Sequence, residues 1–225
     1  MKYPKLVIFD CDGIITETAH LHYIAWKKIA DEELNIFLSE EFLNKFRGLS
    51  RTDSLDIILK NDQTKIDLSE KDRERLIELK NNYYKTLITD KNNVKLFLPT
   101  IEFIKKLKTL NIKIAMASTS QNSKQLLKLH NIESFFDYLV NPNDIHHQKP
   151  SSEIFLKAIN YFNFNPKECW GVEDAFVGIA SINSSGAFSI GIGEDQQVKA
   201  ANIVFEDIND LDLNKILETY EKWND

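Results

Sequence analysis

From about Lys95 onward, short apolar runs alternate with stretches of helical periodicity, an order that few folds accept. The runs are Ile112 to Ser118, Tyr138 to Val140, Cys169 to Val172, Ala187 to Ile192 and Ala201 to Phe205, the last expected at a sheet edge. Helical patterns cover Pro99 to Leu110, Asn122 to His130, a segment opened by Pro150 and Ser151, Ala175 to Ser185 and Leu213 to Trp223. Strands joined through helices of this length pair in parallel, because each connection must travel back along a face of the sheet. The expected fold is α/β, with a doubly wound parallel sheet. Such sheets bind ligands outside the carboxyl ends of their strands, where the strand order reverses.

One more strand signal opens the chain. The apolar run Leu6 to Phe9 ends in Asp10 and Asp12, with Gly13 placed to turn the backbone. Two carboxylates two residues apart at a strand end are expected to point roughly the same way. Like charges held so close raise each other's pKa unless a cation compensates. Alone, Asp-x-Asp-Gly is also an ordinary turn sequence.

Residues 18–94 carry only helical signals. His20 to Leu34 places Leu21, Ile24, Ala25, Ile29 and Ala30 at helical spacing, and Ser39 ahead of Glu40 and Glu41 marks a helix start. Ser50 to Asp53 and Ser69 to Asp72 fit the capping-box pattern. Their helices are expected to bury Leu55, Ile58 and Leu59, then Leu76, Leu79, Tyr83 and Leu87. The chain thus divides into a Rossmann-like core, residues 1–17 and 95–225, and an inserted helical cap, residues 18–94. The cap leaves just after the two aspartates, so it would hang over that edge as a lid.

Three polar strand ends then converge: Asp10/Asp12, Ser118-Thr119-Ser120 and Glu173-Asp174, with Lys149 ahead of Pro150. Four carboxylates need a hard divalent cation to stay together, and an all-oxygen set without His or Cys points to Mg²⁺. Lys149 adds a compact positive charge, Ser118 a hydroxyl donor, and the backbone N–H groups after Ser118 further donors for a phosphate. A carboxylate can attack phosphorus to give an aspartyl-phosphate, with metal and lysine stabilising the transferring group and a second aspartate moving protons. This is a site for phosphoryl chemistry.

Composition narrows the partners. The net charge is −6 with no block of Lys or Arg, which argues against a nucleic acid; Lys105-Lys106 reads as a solvated helix face. Lys2 to Lys5 runs straight into a four-residue apolar run, so no signal peptide is expected, and nothing approaches the ~18 apolar residues of a membrane span. Cys11 and Cys169 match no metal spacing and are expected as buried free thiols in a cytoplasmic protein.

In this order, Asp10-Cys11-Asp12-Gly13, Ser118, Lys149-Pro150 and Gly171-Val172-Glu173-Asp174 resemble the four motifs of the haloacid dehalogenase superfamily. The resemblance spans essentially the whole chain. It implies Asp10 as nucleophile and Asp12 as general acid/base. It also implies Mg²⁺ held by Asp10, the main-chain carbonyl of Asp12, Glu173 and Asp174. The cap is similar to a narrower group, the β-phosphoglucomutases, through Ile15 to Thr18, His22 to Lys27 and Gly48 to Leu55. Those enzymes interconvert β-D-glucose 1-phosphate and glucose 6-phosphate through a 1,6-bisphosphate. The likeness implies Thr18 as a hinge, His22 as a group positioning Asp12, and Arg51 as a grip on the phosphate that is not being transferred. Gly48, Lys80, Ser120, Gln121 and Asn122 fall at substrate-contacting positions, and Trp26 is either such a contact or a core residue.

Three residues depart from that pattern: Gln121 where the family has lysine, Thr119 between the two serines, and Glu17 in place of a shorter aspartate. Losing the lysine keeps a second reading open, a Mg²⁺-dependent phosphatase of the same superfamily acting on sugar phosphates or other small phosphomonoesters. A non-catalytic protein of this fold would lack one of Asp10, Asp12, Lys149 or Asp174, and all are present. Asp53 reads as a helix cap, His146-His147 as a loop feature, and Trp170 and Trp223 as packing residues. A lid that must move freely favours a monomer.

Overall fold

The computed structural model describes residues 3–61 and 66–224; Lys2 therefore lies outside the described residues. The chain begins with β1 (Leu6–Phe9), followed by β2 (Thr16–Glu17) and four helices, α1 (Ala19–Leu34), α2 (Phe42–Lys45), α3 (Arg51–Asn61) and α4 (Glu70–Leu87). It then runs through β3 (Lys95–Leu96), α5 (Leu98–Thr109), β4 (Lys113–Met116), α6 (Ser123–Leu129), β5 (Tyr138–Leu139) and α7 (Glu153–Tyr161). The last elements are β6 (Cys169–Glu173), α8 (Phe176–Ser185), β7 (Phe188–Ile192), α9 (Asp195–Val198), β8 (Ile203–Phe205) and α10 (Leu213–Asn224).

Six strands form one sheet in the order β5-β4-β1-β6-β7-β8, and all five neighbouring pairs are parallel. Both faces are covered, which is why β1 reads as an unbroken apolar run rather than an alternating one. Val7 and Phe9 join one core cluster with α5 and α10 residues such as Ile104 and Ile216. Leu6 and Ile8 join the other with Phe155 and Ile182 of α7 and α8. Strand order reverses around β1, whose two neighbours, β4 and β6, carry the other two polar ends foreseen from the sequence. β8 is an edge strand, as expected.

The helical segment forms its own cluster, including Trp26, Ile29, Leu55, Ile58 and Leu76. Its stem was not foreseen. Where only helices were expected to flank the insertion, β2 and β3 pair antiparallel, with Thr16 opposite Leu96 and Glu17 opposite Lys95. Two-residue strands are too short to leave a periodic signal. Half of each capping box is present: Ser50 Oγ and Ser69 Oγ each accept from the backbone N–H three residues on, while the Asp53 and Asp72 carboxylates accept from the serine hydroxyls.

Five burial expectations need correcting. Ile24 and Leu79 are exposed, and Leu59, Tyr83 and Leu87 are only partly buried. In α4 the inward stripe consists of Leu76, Lys80, Asn81 and Tyr84, so the helix is rotated to turn polar side chains inward. It faces the sheet edge that carries the aspartates rather than an apolar core. Cys11 and Cys169 are buried and free, and among the described residues no helix is long and apolar enough to cross a membrane.

Candidate active site

The floor of the site lies at the ends of β1 and β6. Lys149 Nζ donates to Asp10 Oδ1 and to Glu173 Oε1, each at 2.7 Å, and all three side chains are buried. The second Glu173 oxygen accepts from the backbone N–H groups of Asp174 at 2.8 Å and Ala175 at 2.9 Å. Burial works to strip Lys149 of its proton, but the charges of Asp10 and Glu173 outweigh it and hold the ammonium. Burial pushes the Asp174 carboxyl up to about 7, with Glu173 adding to the effect and Arg47 opposing it. Burial likewise drives Asp10 upward, against the pull of Lys149.

The cluster is therefore short of positive charge. One oxygen each from Asp10, Glu173 and Asp174 lie within 4.8 Å of one another. Three hard oxygen donors in a buried, anion-rich pocket fit a divalent cation of the Mg²⁺ type. Asp12 is not among these side chains, although both aspartates line one cavity. β1 ends at Phe9, and Cys11 O accepts from the backbone N–H groups of Ile15 and Thr16, so Asp12 sits on a turn, not on a pleat. Only its main-chain carbonyl remains as the ligand the resemblance implied.

The Asp12 side chain instead reaches toward the helical segment. Thr18 Oγ1 donates to Asp12 Oδ1 in a very short hydrogen bond. Thr18 is also the N-cap of α1, yet its hydroxyl accepts no cap bond and donates to Asp12. His22 Nε2 stands 3.6 Å from Asp12 Oδ1, and its Nδ1 lies 2.8 Å from Lys80 Nζ. An ammonium donating to Nδ1 places the ring proton on Nε2, facing the carboxylate. The ring stacks on Tyr84 with centroids 4.1 Å apart. Burial works to raise the Asp12 pKa, but His22, Thr18 and the charge of Lys80 bring it below the usual value. Burial and then Arg51 depress Lys80 to about 7.

Asp10, Asp12, His22, Trp26, Gly48, Arg51, Lys80, Thr119 and Ser120 line one cavity between cap and core. Arg51 Nη2 donates to Gln121 Oε1 at 2.7 Å, and Gln121 Nε2 donates to Asn143 Oδ1 at 2.7 Å. Asn122 Nδ2 donates to Asn81 Oδ1 at 2.9 Å, a second tie between core loop and cap. Ser118 Oγ accepts from Ser120 N, and Ser120 Oγ accepts from Asn122 N. Two of the backbone donors expected for a phosphate are thus already engaged by serines. Thr18, Ser118, Gln121 and Asn122 support the cavity rather than line it. His146 and His147 lie in a loop, where both backbone N–H groups donate to Glu153.

Two features escaped the sequence reading. Arg47 Nη1 donates to Asp174 Oδ2 at 2.9 Å, joining cap to core beside the carboxylate cluster. Its position next to Gly48 was the only available hint. The second is Gly178 in α8, where an added Cβ would lie 1.9 Å from Glu173 Oε1. Gly178→Ala is expected to displace Glu173 and weaken Mg²⁺ binding about tenfold, as measured by calorimetry, because carboxylate orientation sets metal affinity. Unchanged affinity would show that Glu173 has room to move.

The sequence profile described as "Haloacid dehalogenase-like hydrolase" matches residues 7–192. This chain belongs to the haloacid dehalogenase-like family. It is 36% identical to the "Beta-phosphoglucomutase" of Bacillus subtilis over 220 residues, 97% of this chain and 96% of the relative. A crystal structure of β-phosphoglucomutase from Clostridium difficile superposes with a TM-score of 0.90 at 37% identity, covering 98% of each chain. The "Phosphorylated carbohydrates phosphatase" of Thermotoga maritima is 26% identical over 81% of this chain and 82% of its own. The protein is thus a haloacid dehalogenase-like enzyme with a β-phosphoglucomutase-like fold.

Proposed function

We propose that this enzyme is a sugar phosphomutase that interconverts β-D-glucose 1-phosphate and glucose 6-phosphate through an aspartyl-phosphate and the 1,6-bisphosphate. The observation that carries the reading is Arg51 in the cap, lining the same cavity as Asp10 in the core. A mutase substrate must be held in two orientations, with one phosphate at the nucleophile and the other at a fixed distal cation. The likeness to the Bacillus subtilis β-phosphoglucomutase, 36% identical over 97% of this chain, supports this.

Asp12 is held ionised beside Thr18 and His22, ready to accept a proton first. With Asp10 phosphorylated, a hydroxyl of the sugar phosphate attacks phosphorus while Asp12 takes its proton, the Asp10 O–P bond breaks and the bisphosphate forms. Asp10 then attacks the other phosphorus, forming the Asp10 O–P bond as the P–O bond to the sugar breaks, and Asp12 returns that proton to the departing sugar oxygen. Lys149 neutralises charge on the nucleophile and the transferring group. Mg²⁺ held by Asp10, Glu173, Asp174 and the Asp12 carbonyl would supply further electrostatic stabilisation. Lys80 and Arg51 bind the sugar phosphate from the cap, and closure of the cap excludes water. The enzyme acts as a cytoplasmic monomer on a small-molecule substrate.

Incubation with β-glucose 1-phosphate, Mg²⁺ and a trace of 1,6-bisphosphate tests the reading. Glucose 6-phosphate without stoichiometric free phosphate is the expected product; free phosphate alone sinks it in favour of the phosphatase. That second reading is favoured by Gln121, a neutral residue beside Arg51, and by the likeness to the Thermotoga maritima phosphatase. Arg51→Ala is expected to lower mutase turnover by about a hundredfold, the loss of a charge-assisted contact. Hydrolysis of an aryl phosphate, which has no second phosphate, should fall far less. Equal losses would make Arg51 structural.

A further inference from the structure

Each of the three carboxylates that can share a cation already has a cationic partner in the protein. Lys149 serves Asp10 and Glu173 from within the core, and it is buried and fixed. Asp174 is served by Arg47, which stands in the cap just before Gly48 and is about one-third exposed. Gly48 takes a φ of +71°, and a Cβ there would come within 2.8 Å of Ala175 and Val177, so this loop lies directly against the core. Arg47 also lines both the cavity beneath the cap and a second groove formed by Gly13, Asp174, Glu206 and Asp207.

The cavity beneath the cap measures about 60 Å³. Small-molecule sites take roughly 300–1,000 Å³. A sugar phosphate therefore enters only after the cap moves away, and the Arg47–Asp174 pair must then part. The Asp174 oxygen that Arg47 holds belongs to the set a divalent cation would use.

We propose that Arg47 is an internal placeholder for the metal, whose guanidinium holds the cap shut on Asp174 until a divalent cation displaces it. This rests on the reading of Asp10, Glu173 and Asp174 as the cation site. Arg47 and the cation compete for one carboxylate, so metal binding loosens the cap, and loosening the cap strengthens metal binding by the same factor. The order of association that follows is metal first, sugar phosphate second. Arg47 acts through Asp174, as a positioning residue.

The test is calorimetric titration of Mg²⁺ alone into the wild-type protein, Arg47→Gln, Arg47→Lys, Asp174→Asn and the control Lys45→Gln, an exposed charge two residues earlier at the end of α2. Arg47→Gln is expected to bind Mg²⁺ about tenfold tighter, the scale of a charge-assisted hydrogen bond. Arg47→Lys should stay near wild type and Lys45→Gln should not change. A gain shared by Arg47→Lys would come from general loosening at position 47 and overturn the placeholder. Unchanged or weaker binding by Arg47→Gln overturns the placeholder while leaving the metal site standing. Equal Mg²⁺ binding by wild type and Asp174→Asn overturns the metal site itself, and the placeholder with it. In the wild-type protein, Mg²⁺ should also speed amide hydrogen exchange at Gly48 and Leu49, and slower or unaltered exchange refutes the release of the cap.

Discussion

Asp10→Asn is expected to abolish phosphoryl transfer, by about ten-thousand-fold or more, as removal of a covalent nucleophile does. The amide is nearly the same size and keeps an oxygen for Lys149, which also retains Glu173 at 2.7 Å. Burial already pushes Asp10 toward its neutral form, so replacing a carboxylate with an amide there removes strain instead of adding it. Tm should therefore hold or rise while turnover on both a sugar phosphate and an aryl phosphate disappears. Thermal melting and the two assays, run on the same sample, check this. A folded variant that still turned over either substrate would remove Asp10 from the role of nucleophile.

Lys149→Met is expected to have the largest effect on stability. It deletes the buried cation between Asp10 and Glu173 and leaves both carboxylates without compensation. Breaking a buried pair from one side costs about 3–5 kcal/mol. For a chain of this size that corresponds to a Tm lower by roughly 10 °C. Excess Mg²⁺ should recover part of the loss, since a cation that binds only the folded state at about 100 times its Kd contributes roughly 2.7 kcal/mol. The wild-type protein, whose cluster is already braced by Lys149, should gain less. Melting curves with and without Mg²⁺ read both effects, and a Lys149→Met protein indifferent to Mg²⁺ would mean that its carboxylates have simply taken up protons.

Most of the core was legible because a parallel sheet covered on both faces leaves unbroken apolar runs, and those of β1, β4 and β6 end in polar residues where the strands end. The topology then makes the three strands neighbours, so Asp10, Lys149, Glu173 and Asp174 meet without help from any local signal. The cap was less legible. Periodicity finds a helix by its apolar face, but α4 turns Lys80 and Asn81 inward and leaves Leu79 in solvent because it looks onto a polar site. The partners of Asp12 followed from no strand rule. Strand alternation stops where the strand stops, and Asp12 lies beyond Phe9 on a turn that hands it to Thr18 and His22. Arg47 and Asp174 are 127 positions apart, and no spacing rule connects an arginine in the turn after a four-residue helix to such a partner.

The antiparallel stem of β2 and β3 has a consequence for how the two halves of the molecule relate. Glu17 and Lys95 stand opposite each other, so the chain departs for the cap and returns from it at adjacent points. To the sheet, everything between them is a long excursion whose two ends are already neighbours. Lengthening such an excursion adds little closing entropy, since the cost grows only with the logarithm of its length. Its outline can therefore change without disturbing the register of β1 against β4 and β6. A single catalytic floor can thus carry covers of different shape, and the choice of what lands on Asp10 is left to the excursion.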